Sequence, residues 1–512
     1  MTSAQIWMSV SIVAYLIFVV GIGIVCMKKN NDAGDFYLGG RKLGPFVTAM
    51  SAEASDMSSY LLMGLPGLAY LSGLSEVGWT AIGLAVGTYL NWLIVAKRIR
   101  NYTEICGNSI TVPEFLSKRY RDNRNILTAI GAIIIIIFFI PYTASGFSAC
   151  GKLFNSLFGV DYITAMIVSA VVIVLYTTLG GFLAASTSDF IQSCIMTVAL
   201  IIVLGFGIYT AGGIGQVIDN SRELAGYLSL THSHDQATGA SSPYGFISIV
   251  STLAWGLGYF GMPHILLRFM AIEDHKKLKL SRRVATVWVV ISMGAAVAIG
   301  VVGLSMSKAG AVPYLEGSSA SETIIIQISS LISTHGAIAA LVAGLIIAGI
   351  LAATMSTADS QLLAASSSVS QNLIKDFAGI KVSQRTEMIL ARLTVVFVSV
   401  IAAFLAQDPD SSVFRIVSFA WAGFGAAFGP LILTSLYWKR TNFYGALAGL
   451  VSGGAMVFIW KFLVRPLGGA WDIYELLPAF IVSFAVIVIV SLLTPEPSEE
   501  IQKEFDAVKV HE

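Results

Sequence analysis

Charge is scarce in this sequence. Only 12% of its 512 residues are Asp, Glu, Lys or Arg, whereas a soluble domain carries about 25%. So few charges cannot cover the water-facing surface of a large soluble enzyme, and a disordered chain would need more of them. Hydrophobic residues make up 56% of the chain. They occur in runs of about 20, the length of a membrane-spanning helix rather than of a barrel strand. The sequence therefore predicts an all-α polytopic membrane protein.

Several chemical signatures are also missing. The net charge of +1 argues against a nucleic-acid partner, because nucleic-acid-binding domains are usually strongly basic. The four cysteines are scattered without a CxxC pair, so their spacing suggests neither a metal site nor a disulfide framework. Neither GxxxxGK(S/T) nor HExxH occurs, which excludes a P-loop for ATP and a zincin site. No Lys or Arg precedes the first apolar run, so this run is expected to be retained rather than cleaved.

Thirteen apolar stretches are long enough to span a bilayer. We number them spans 1 to 13, with approximate cores at 6–27, 44–70, 75–96, 127–150, 162–183, 190–210, 244–267, 285–307, 325–357, 389–406, 414–438, 442–460 and 474–493. They predict one transmembrane domain, residues 1–493. The charged tail, residues 494–512, is expected to be cytoplasmic, solvated and partly helical.

The distribution of Lys and Arg predicts the orientation in the membrane. The tail and the connections after odd-numbered spans hold 24 of the 31 basic residues, among them Lys28, Lys29 and Arg268. The N-terminus and the connections after even-numbered spans hold five. By the positive-inside rule, the chain crosses the plasma membrane several times, with its N-terminus outside and its C-terminus in the cytoplasm.

Spans 2 and 7 differ from the other spans because they contain polar and helix-breaking residues. Span 2 carries Glu53 and Asp56 among four serines, followed by Gly64, Pro66 and Gly67. A carboxylate at bilayer depth costs at least about 2.5 kcal/mol, so both acids need partners. Span 7 reads STLAWGLGYFGMPHILLRF, with three glycines and a proline within eight residues. Both spans are predicted to be helices that unwind midway, where the backbone is buried or lines a cavity.

Interrupted spans at matching positions of two halves indicate a secondary transporter with inverted repeats. Spans 2 and 7 are five spans apart, so the repeats would be spans 2–6 (about 44–210) and spans 7–11 (about 244–438). The substrate site is then predicted near the midplane, where the two breaks meet. Span 9 offers the hydroxyls of Ser356 and Thr357, which suit Na⁺ because hard cations prefer oxygen ligands. Close helix packing is the alternative role of these hydroxyls.

Four motifs, in register, resemble the bacterial sodium/proline symporters of the sodium:solute symporter family. They are LGGRKLGPFVTAMSAEASDMS with LLMGLPG, WGLGYFGMPHILLRFM, AATMST and AWAGFGAAFGP, between about residues 34 and 460. The resemblance implies a LeuT-type fold of inverted five-helix repeats and sodium-coupled import of a small solute, L-proline first, by alternating access. It implies no enzyme activity and no cofactor. Na⁺ is the coupling ion, the partners are the solute and the lipid bilayer, and the sequence defines no oligomeric state.

The resemblance also assigns roles to single residues. It implies a sodium site made of carbonyls and hydroxyls: Ala54, Met57, Ala353, Ser356 and Thr357. Asp56 matches an aspartate needed for sodium-dependent transport, and Arg41 matches an arginine at the cytoplasmic entrance of span 2. The matching positions around the solute are Ser58, Tyr142, Trp255, Tyr259 and Pro263.

Some residues depart from the usual motifs. Glu53 replaces a glycine, Ser59 and Tyr60 replace Gly-Trp, and Met262 replaces a glutamine. Because several of these changes touch the implied solute face, they leave the identity of the solute open. Another amino acid, a carboxylate or a sugar is the alternative to proline.

Some relatives hold a second sodium ion between spans 6 and 9. The matching residues here are Asp189, Asp359 and Ser360, and Asp359 stands where a small hydroxyl is common. Three interpretations of Asp359 are open. It is solvated in a cytoplasmic vestibule, or it shares a second Na⁺ with Asp189, or the two acids share a proton. The last two follow because adjacent carboxylates cannot both stay ionised cheaply.

Two other classes of function fit less well. An intramembrane enzyme needs a nucleophile with its base, or a metal triad, and no His or Cys faces Glu53 and Asp56 by motif. A channel needs a repeated filter loop, and the sequence contains none.

Overall fold

A computed structural model describes residues 2–27, 33–381 and 383–510. Lys28, Lys29 and the last two residues of the tail lie outside these ranges. The α-helices of the described residues, in chain order, are α1 Ser3–Met27, α2 Ala33–Leu38, α3 Pro45–Ser59, α4 Leu65–Ser72, α5 Leu74–Leu90, α6 Ala96–Ile105, α7 Val112–Arg119, α8 Ile126–Phe158, α9 Tyr162–Thr210, α10 Ile214–Arg222, α11 Phe246–Leu253, α12 Pro263–Ala271, α13 Leu278–Lys308, α14 Gly317–Ser321, α15 Ile324–Ser333, α16 Ala337–Ser367, α17 Gln384–Leu405, α18 Val413–Tyr437, α19 Phe443–Ile459, α20 Leu476–Leu493 and α21 Glu499–Val510.

Shorter elements connect or extend these helices. Four π-helical segments are Tyr60–Gly64, Asn91–Val95, Ser368–Phe377 and Trp460–Val464. The 3₁₀ segments are Gly39–Arg41, Ala254–Gly261, His275–Lys277, Arg465–Leu467 and Gly469–Trp471. Strands β1 (His232–His234) and β2 (Ser241–Pro243) pair antiparallel in the connection after span 6.

The helices confirm the predicted polytopic α-helical membrane protein. Among the residues that the structure describes, ten helices are long and apolar enough to cross a membrane, and a bent pair at span 7 brings the number to eleven. The stretches predicted as spans 2 and 5 are helical too, at Pro45–Ser72 and in the first part of α9, but they are not among those eleven.

The backbone of span 2 leaves the helical conformation at Ser58, whose φ of 47° and ψ of −168° interrupt α3 near its end. The break was expected in this span, but Gly64, Pro66 and Gly67 remain helical. A Cβ on Gly67 would lie 2.8 Å from the backbone nitrogen of Glu322. That glycine therefore permits close packing on the neighbouring chain rather than unwinding.

Span 7 is also broken, as predicted. It consists of α11, the 3₁₀ segment Ala254–Gly261 and α12, and it bends by 47° at Met262. Pro263 occupies the first turn of α12, where its missing N–H has no helical partner to lose. The 3₁₀ segment lies directly against glycines of α5 and α18. A Cβ on Gly87 would meet the Gly256 oxygen at 2.4 Å, and a Cβ on Gly425 would meet the Gly258 Cα at 2.7 Å.

The predicted bounds of span 9, 325–357, were wrong. Its first third forms a separate helix, α15, and the membrane-crossing helix α16 begins only at Ala337. Gly336 separates the two with a φ of 105°, which residues with side chains rarely adopt. From there α16 runs on to Ser367 through the centre of the protein, packed against α9, α1, α3 and α8.

The C-terminal tail is helical, as expected, but it is not simply solvated. Helix α21 packs against α6, and the side chains of Phe505 and Val508 are 1% and 0% exposed. The tail is amphipathic: Phe505 and Val508 are three residues apart and therefore lie on one face of the helix, together with Ile501.

Candidate functional site

Two backbone carbonyls and two hydroxyls meet where the break in span 2 faces α16. The Ser356 hydroxyl donates to the Ala54 oxygen at 2.8 Å and lies 3.1 Å from the Ala353 oxygen. The Thr357 hydroxyl lies 3.2 Å from the same Ala353 oxygen. Four of the five residues implied as a sodium site are thus brought together. Met57, the fifth, is buried nearby on α3.

This cluster has the chemistry that a hard monovalent cation needs. All its atoms are neutral oxygens, and Ala54, Ala353, Ser356 and Thr357 are at most 3% exposed. Na⁺ binding would replace the hydroxyl-to-carbonyl hydrogen bonds by contacts of the same oxygens to the ion. In the described ranges, no group of three or more His, Cys, Asp and Glu residues could hold a metal ion.

Asp56 connects the break in span 2 to two tyrosines. The Tyr259 hydroxyl, from the 3₁₀ segment of span 7, donates to Asp56 Oδ2 at 2.6 Å. The Tyr142 hydroxyl, from α8, donates to the Asp56 backbone oxygen at 2.9 Å. Asp56 Oδ1 has no hydrogen-bond partner among the described residues, although it is fully buried. One carboxylate oxygen is therefore available to a ligand.

A small cavity lies between these residues. It is lined by Asp56, Met57, Tyr60, Leu84, Tyr142, Trp255, Met293, Val417 and Trp421. The cavity brings together Tyr142 and Trp255, two of the residues implied around the solute, and Tyr259 reaches it through Asp56. Ser58 and Pro263 do not line it. The Ser58 hydroxyl accepts from the backbone N–H of Tyr60 at 3.1 Å, and Pro263 starts α12.

Three aromatic rings cover this cavity on one side, and we call them the aromatic layer: Tyr60, Trp255 and Phe414. Their ring centroids lie 5.4 to 5.5 Å apart in all three pairs. Tyr474 stacks on Trp255 from behind at 5.2 Å. The Trp421 indole N–H donates to the Trp255 backbone oxygen at 2.8 Å. This bond fixes the part of the aromatic layer that comes from the 3₁₀ segment of span 7.

A vestibule of about 1180 Å³ begins on the other side of the aromatic layer, where Trp255 and Phe414 form part of its floor. Its wall is built from the connections after even-numbered spans, which the charge pattern predicts to be extracellular, and from the adjoining ends of the spans. Examples are Glu76, Tyr244, Ser318, Ser412 and Asp472. The aromatic layer is thus the partition between a wide aqueous vestibule and the small cavity beside Asp56.

A second cluster of charged residues surrounds the Arg268 guanidinium. Its Nη2 lies 3.2 Å from Asp189 Oδ2 and 2.5 Å from the Ser360 hydroxyl, and its Nε lies 3.1 Å from the Ser51 hydroxyl. Ser51 itself donates to Asp189 at 2.7 Å. The three residues proposed as a second cation site thus lie together, with a resident arginine among them. Asp359 Oδ1 accepts from Ser360 at 3.1 Å.

Burial of this cluster corrects two expectations, one about Arg268 and one about Asp359. The charge count places Arg268 in a cytoplasmic connection. Its side chain is only 1% exposed, because α12 packs against α3 and α16 at this point. Asp359, one interpretation of which is a solvated vestibule residue, is also 1% exposed, so that interpretation is wrong. The buried cluster contains two carboxyl groups and one guanidinium. Asp189 Oδ1 and Asp359 Oδ2 have no hydrogen-bond partner in the described part of the chain.

Arg41 lies at the inner end of span 2 and links three segments. Its Nη1 donates to the Met270 oxygen at 2.5 Å, its Nη2 to the Ser109 oxygen at 2.9 Å, and its Nε to Asn108 Oδ1 at 3.0 Å. Burial, together with the nearby Arg100, lowers the pKa of Arg41 to about 10, so it remains a cation at neutral pH. The start of α3 is thereby tied to the end of α12 and to the chain that follows α6.

The sequence patterns gave no indication of two other buried groups. Lys152 and Glu322 form an ion pair of 2.8 Å with side chains only 5% and 2% exposed. Glu53, by contrast, stands out in the sequence because it departs from the motifs. Its Oε1 accepts a hydrogen bond from the Trp92 indole N–H at 2.8 Å. For Arg268 a signal was present, because it is part of the motif PHILLRF and lies four residues after His264.

Comparison with known proteins identifies the family. The model of the sodium:solute symporter family matches residues 36–453. The osmoregulated proline transporter OpuE of Bacillus subtilis (strain 168) is 41% identical over 500 residues, which cover 98% of this chain and 97% of OpuE. The sodium/proline symporter of Escherichia coli (strain K12) is 39% identical over 506 residues, which cover 98% of this chain and 96% of the relative.

A solved structure has the same fold. The substrate-bound, outward-open form of a Na⁺-coupled sialic acid symporter superimposes with a TM-score of 0.77, covering 96% of this chain and 99% of the other, at 16% identity. At that identity the likeness shows the fold alone, which is of the LeuT type.

Proposed function

The chain belongs to the sodium:solute symporter family, and from this membership we propose that it imports L-proline together with Na⁺ across the plasma membrane. It is a multi-pass membrane transporter and not an enzyme, and Na⁺ is the coupling ion. Proline is favoured because the relatives named for proline transport match nearly the full length of the chain at about 40% identity. Another amino acid, a carboxylate or a sugar is the alternative solute.

The proposed architecture consists of thirteen spans with two inverted repeats, about 44–210 and 244–438, preceded by an extracellular N-terminus and followed by a cytoplasmic tail. The breaks at Ser58 and at Met262 support this assignment, because they interrupt the first span of each repeat. The ten to eleven membrane-crossing helices of the described residues are compatible with it if the helical stretches of spans 2 and 5 also cross.

In the proposed sodium site, one ion joins the break in span 2 to α16. The Ala54, Met57 and Ala353 carbonyls and the Ser356 and Thr357 hydroxyls are its ligands. The meeting of four of these groups within hydrogen-bond distance is the observation that carries the proposal. Ion binding would fix the stretch that ends in Asp56 and Ser58, and thereby order the solute site next to it.

In the proposed solute site, proline occupies the small cavity below the aromatic layer. The Tyr142 and Trp255 rings offer apolar surface and π faces to the pyrrolidine ring and its cation. Asp56, through its unpaired Oδ1, accepts from the secondary ammonium, and Tyr259 holds the other oxygen. Ser58 and Pro263 act through the backbone, at the two breaks.

Alternating access then follows from the two closed barriers. On the vestibule side, solute must pass the aromatic layer. On the other side, Arg41 and the Arg268–Asp189 pair tie span 7 to spans 2, 6 and 9, and these contacts must open before release. Since a ligand shifts a conformational equilibrium only through differential affinity, Na⁺ and proline must both favour one ordered state of span 2. Each then raises the affinity of the other by the same factor.

Uptake of labelled proline into proteoliposomes, driven by a Na⁺ gradient, tests the proposal. Thr357→Ala removes one ligand and is expected to raise the Na⁺ concentration for half-maximal uptake by about ten-fold, equivalent to about 1.4 kcal/mol. Ser367→Ala is the matched control, since its hydroxyl only donates to the Ala364 oxygen of the same helix. Uptake that is independent of Na⁺, or that both variants impair equally, contradicts the sodium site.

The solute is tested in the same vesicles with the unmodified protein. Proline is expected to be taken up and to compete better than other amino acids, carboxylates and sugars. If proline neither enters nor competes while another solute does, the sodium-coupled mechanism is retained and the assignment of proline is wrong.

A further inference from the structure

Two charged side chains of the vestibule have no role in the mechanism above. Glu76 lies in the first turn of α5 and Arg415 in the first turn of α18, and both line the 1180 Å³ vestibule above the aromatic layer. Within the described ranges, neither side chain makes a hydrogen bond or an ion pair. An acid and a base thus face the same space without a direct hydrogen bond or ion pair, and the Arg465 and Arg415 guanidiniums both act on the Glu76 carboxylate through space.

The other charges around the vestibule are already neutralised. They form ion pairs with nitrogen–oxygen distances of 2.8 to 3.0 Å, namely Lys152–Glu322, Lys461–Glu475, Arg465–Asp472 and Arg465–Glu475. A charged solute that enters the vestibule could bind one of these charges only by breaking the ion pair to which that charge belongs. Glu76 and Arg415 are available without such a loss.

Both residues are held on fixed backbone. Glu322 accepts from the Ser412 hydroxyl at 2.8 Å and from the N–H groups of Val413 and Phe414 at 3.2 Å, which fixes the first turn of α18. The Leu74 N–H donates to the Tyr227 oxygen at 2.8 Å and fixes the start of α5. The two side chains therefore project into the vestibule from backbone positions that are held in place.

Helix stability does not explain Arg415. The N-terminus of a helix carries a partial positive charge, so a cation in the first turn is unfavourable there, whereas an acid such as Glu76 is favourable. Arg415 therefore costs the helix some stability and forms no ion pair that would offset it. A ligand with a carboxylate would do so.

We propose that Glu76 and Arg415 form an outer docking site for a zwitterionic amino acid, separate from the cavity beside Asp56. The carboxylate of the amino acid binds Arg415, its ammonium binds Glu76, and its apolar part rests on Trp255 and Phe414. The site holds the amino acid until the aromatic layer opens. This inference rests on the proposed function insofar as the solute is an amino acid.

The balance of charges explains why a zwitterion fits better than other solutes. An anion would gain from Arg415 but would be repelled by Glu76, and a cation would meet the reverse situation. A sugar would use neither charge. The docking site would therefore select amino acids before the sodium-dependent site is reached.

The test measures proline uptake into proteoliposomes by the full-length protein and by Glu76→Gln and Arg415→Gln. Each variant is expected to raise KM about five-fold with kcat unchanged, the upper end of the effect of one solvent-exposed ion pair. Arg222→Gln is the matched control, because Arg222 is exposed on α10 and does not line the vestibule. Raising the ionic strength with choline chloride should increase KM of the unmodified protein and should affect each variant less, since salt screens exposed charges.

The outcomes separate this inference from the proposed function. If the unmodified protein takes up no proline with Na⁺, the proposed function fails, and the same comparison is made with the solute that it does carry. A transported solute that is not a zwitterion overturns the docking site. So does an unchanged KM in both variants. A fall in kcat at constant KM also overturns it, because that result indicates that Glu76 and Arg415 act on the opening of the vestibule rather than on capture.

Discussion

A single side chain, that of Arg268, connects several helices in the inner part of the molecule. Its guanidinium contacts Asp189 of α9, Ser51 of α3 and Ser360 of α16, and it donates to the backbone of its own helix at His264. A buried ion pair of this kind is weak evidence for stability, because desolvation of the two charges offsets their attraction. Its contribution is to fix the positions of three helices relative to span 7.

Asp359 changes the charge of that cluster, and we expect it to change the sodium dependence. With Asp189 and Asp359 both ionised, one negative charge is left unbalanced beside Arg268, and a second Na⁺ would bind it. Asp359→Ser is therefore expected to lower the Hill coefficient for Na⁺ in proline uptake from above one to about one. Asp189→Asn should do the same, but with a larger loss of transport, because it also removes the partner of Arg268.

Two other outcomes of this experiment have a clear meaning. A Hill coefficient of one in the unmodified protein contradicts a second sodium ion. A pH dependence of uptake that disappears in Asp359→Ser indicates a proton shared by the two carboxyl groups instead.

At this scale the sequence reveals which residues are unusual but not which residues meet. Ser356, Thr357 and Asp359 stand out because polar groups are rare in an apolar helix. The ion pair of Arg268 with Asp189 joins positions almost 80 residues apart in the chain, so no local sequence pattern predicts it. The charge count assigned Arg268 to a connection because an arginine inside a membrane is costly, and the carboxylate that offsets this cost lies on another helix.

Among the elements, helix α21 is a docked amphipathic helix. Phe505 lies between two arginines, with ring-to-guanidinium distances of 5.4 Å to both Arg98 and Arg119. Arg121 pairs with Glu500 and Glu504 at 3.0 and 2.6 Å. The tail is thus attached to α6 and α7 by cation–π contacts at its centre and by ion pairs at its margin.

Phe505→Ala is expected to release this helix. The loss of a buried aromatic ring costs about 3 kcal/mol, which exceeds what exposed ion pairs contribute. Hydrogen exchange of the amides in 499–510 should become fast, whereas the amides of α16 should stay protected. Lys503→Ala is the control, because Lys503 pairs only with Glu499 of its own turn and is 80% exposed. Unchanged exchange in Phe505→Ala contradicts the docking.

The elements also show where sequence reasoning succeeds. The two breaks were predictable, because several glycines and a proline in span 7, and two acids in span 2, are incompatible with an ordinary membrane helix. The exact residue was not, since Ser58 adopts a φ of 47° while Gly64 stays helical. In the tail, by contrast, the charged composition led to the expectation of a solvated helix, and the shared face of Ile501, Phe505 and Val508 became evident only in the structure. Its apolar face gains partners from distant segments, namely the Arg98 and Arg119 guanidiniums and the Tyr102 ring.

On the scale of the whole molecule, the structure is open on one side as far as the aromatic layer and packed on the other. The vestibule reaches the aromatic layer from the side of the even-numbered connections, and Arg41 and Arg268 fill the opposite end with hydrogen bonds. This asymmetry corresponds to one stage of an alternating cycle, with access from the side that the charge pattern predicts to be extracellular.

A cysteine introduced into the vestibule tests both the state and the orientation. Ser248→Cys lines the vestibule and is expected to react in intact cells with a membrane-impermeant maleimide. Na⁺ plus proline should slow the reaction, because the vestibule closes over bound solute. Ser367, near Arg268, is only 4% exposed, so Ser367→Cys should react slowly in intact cells without Na⁺ and proline. The unmodified protein, in which Cys26, Cys106 and Cys150 are buried and Cys194 is exposed, gives the background that is subtracted. Reaction of Ser248→Cys only in inside-out vesicles would mean that the predicted orientation is reversed.

The glycines that surround the 3₁₀ segment of span 7 have a consequence for the speed of this cycle. Gly256 meets Gly87 backbone to backbone on the α5 side, and Gly258 meets Gly425 on the α18 side, where the Trp421 indole also packs against Gly258. When the side chains of two helices interlock, the helices can move past each other only if those close-packed contacts are separated, and this raises the activation barrier. On the α5 side, the segment that carries Tyr259 therefore has few interlocked side chains to separate when it turns. On the α18 side, the Trp421 indole packs edge-on against Tyr259 and donates to the Trp255 oxygen, so α18 is expected to move together with this segment.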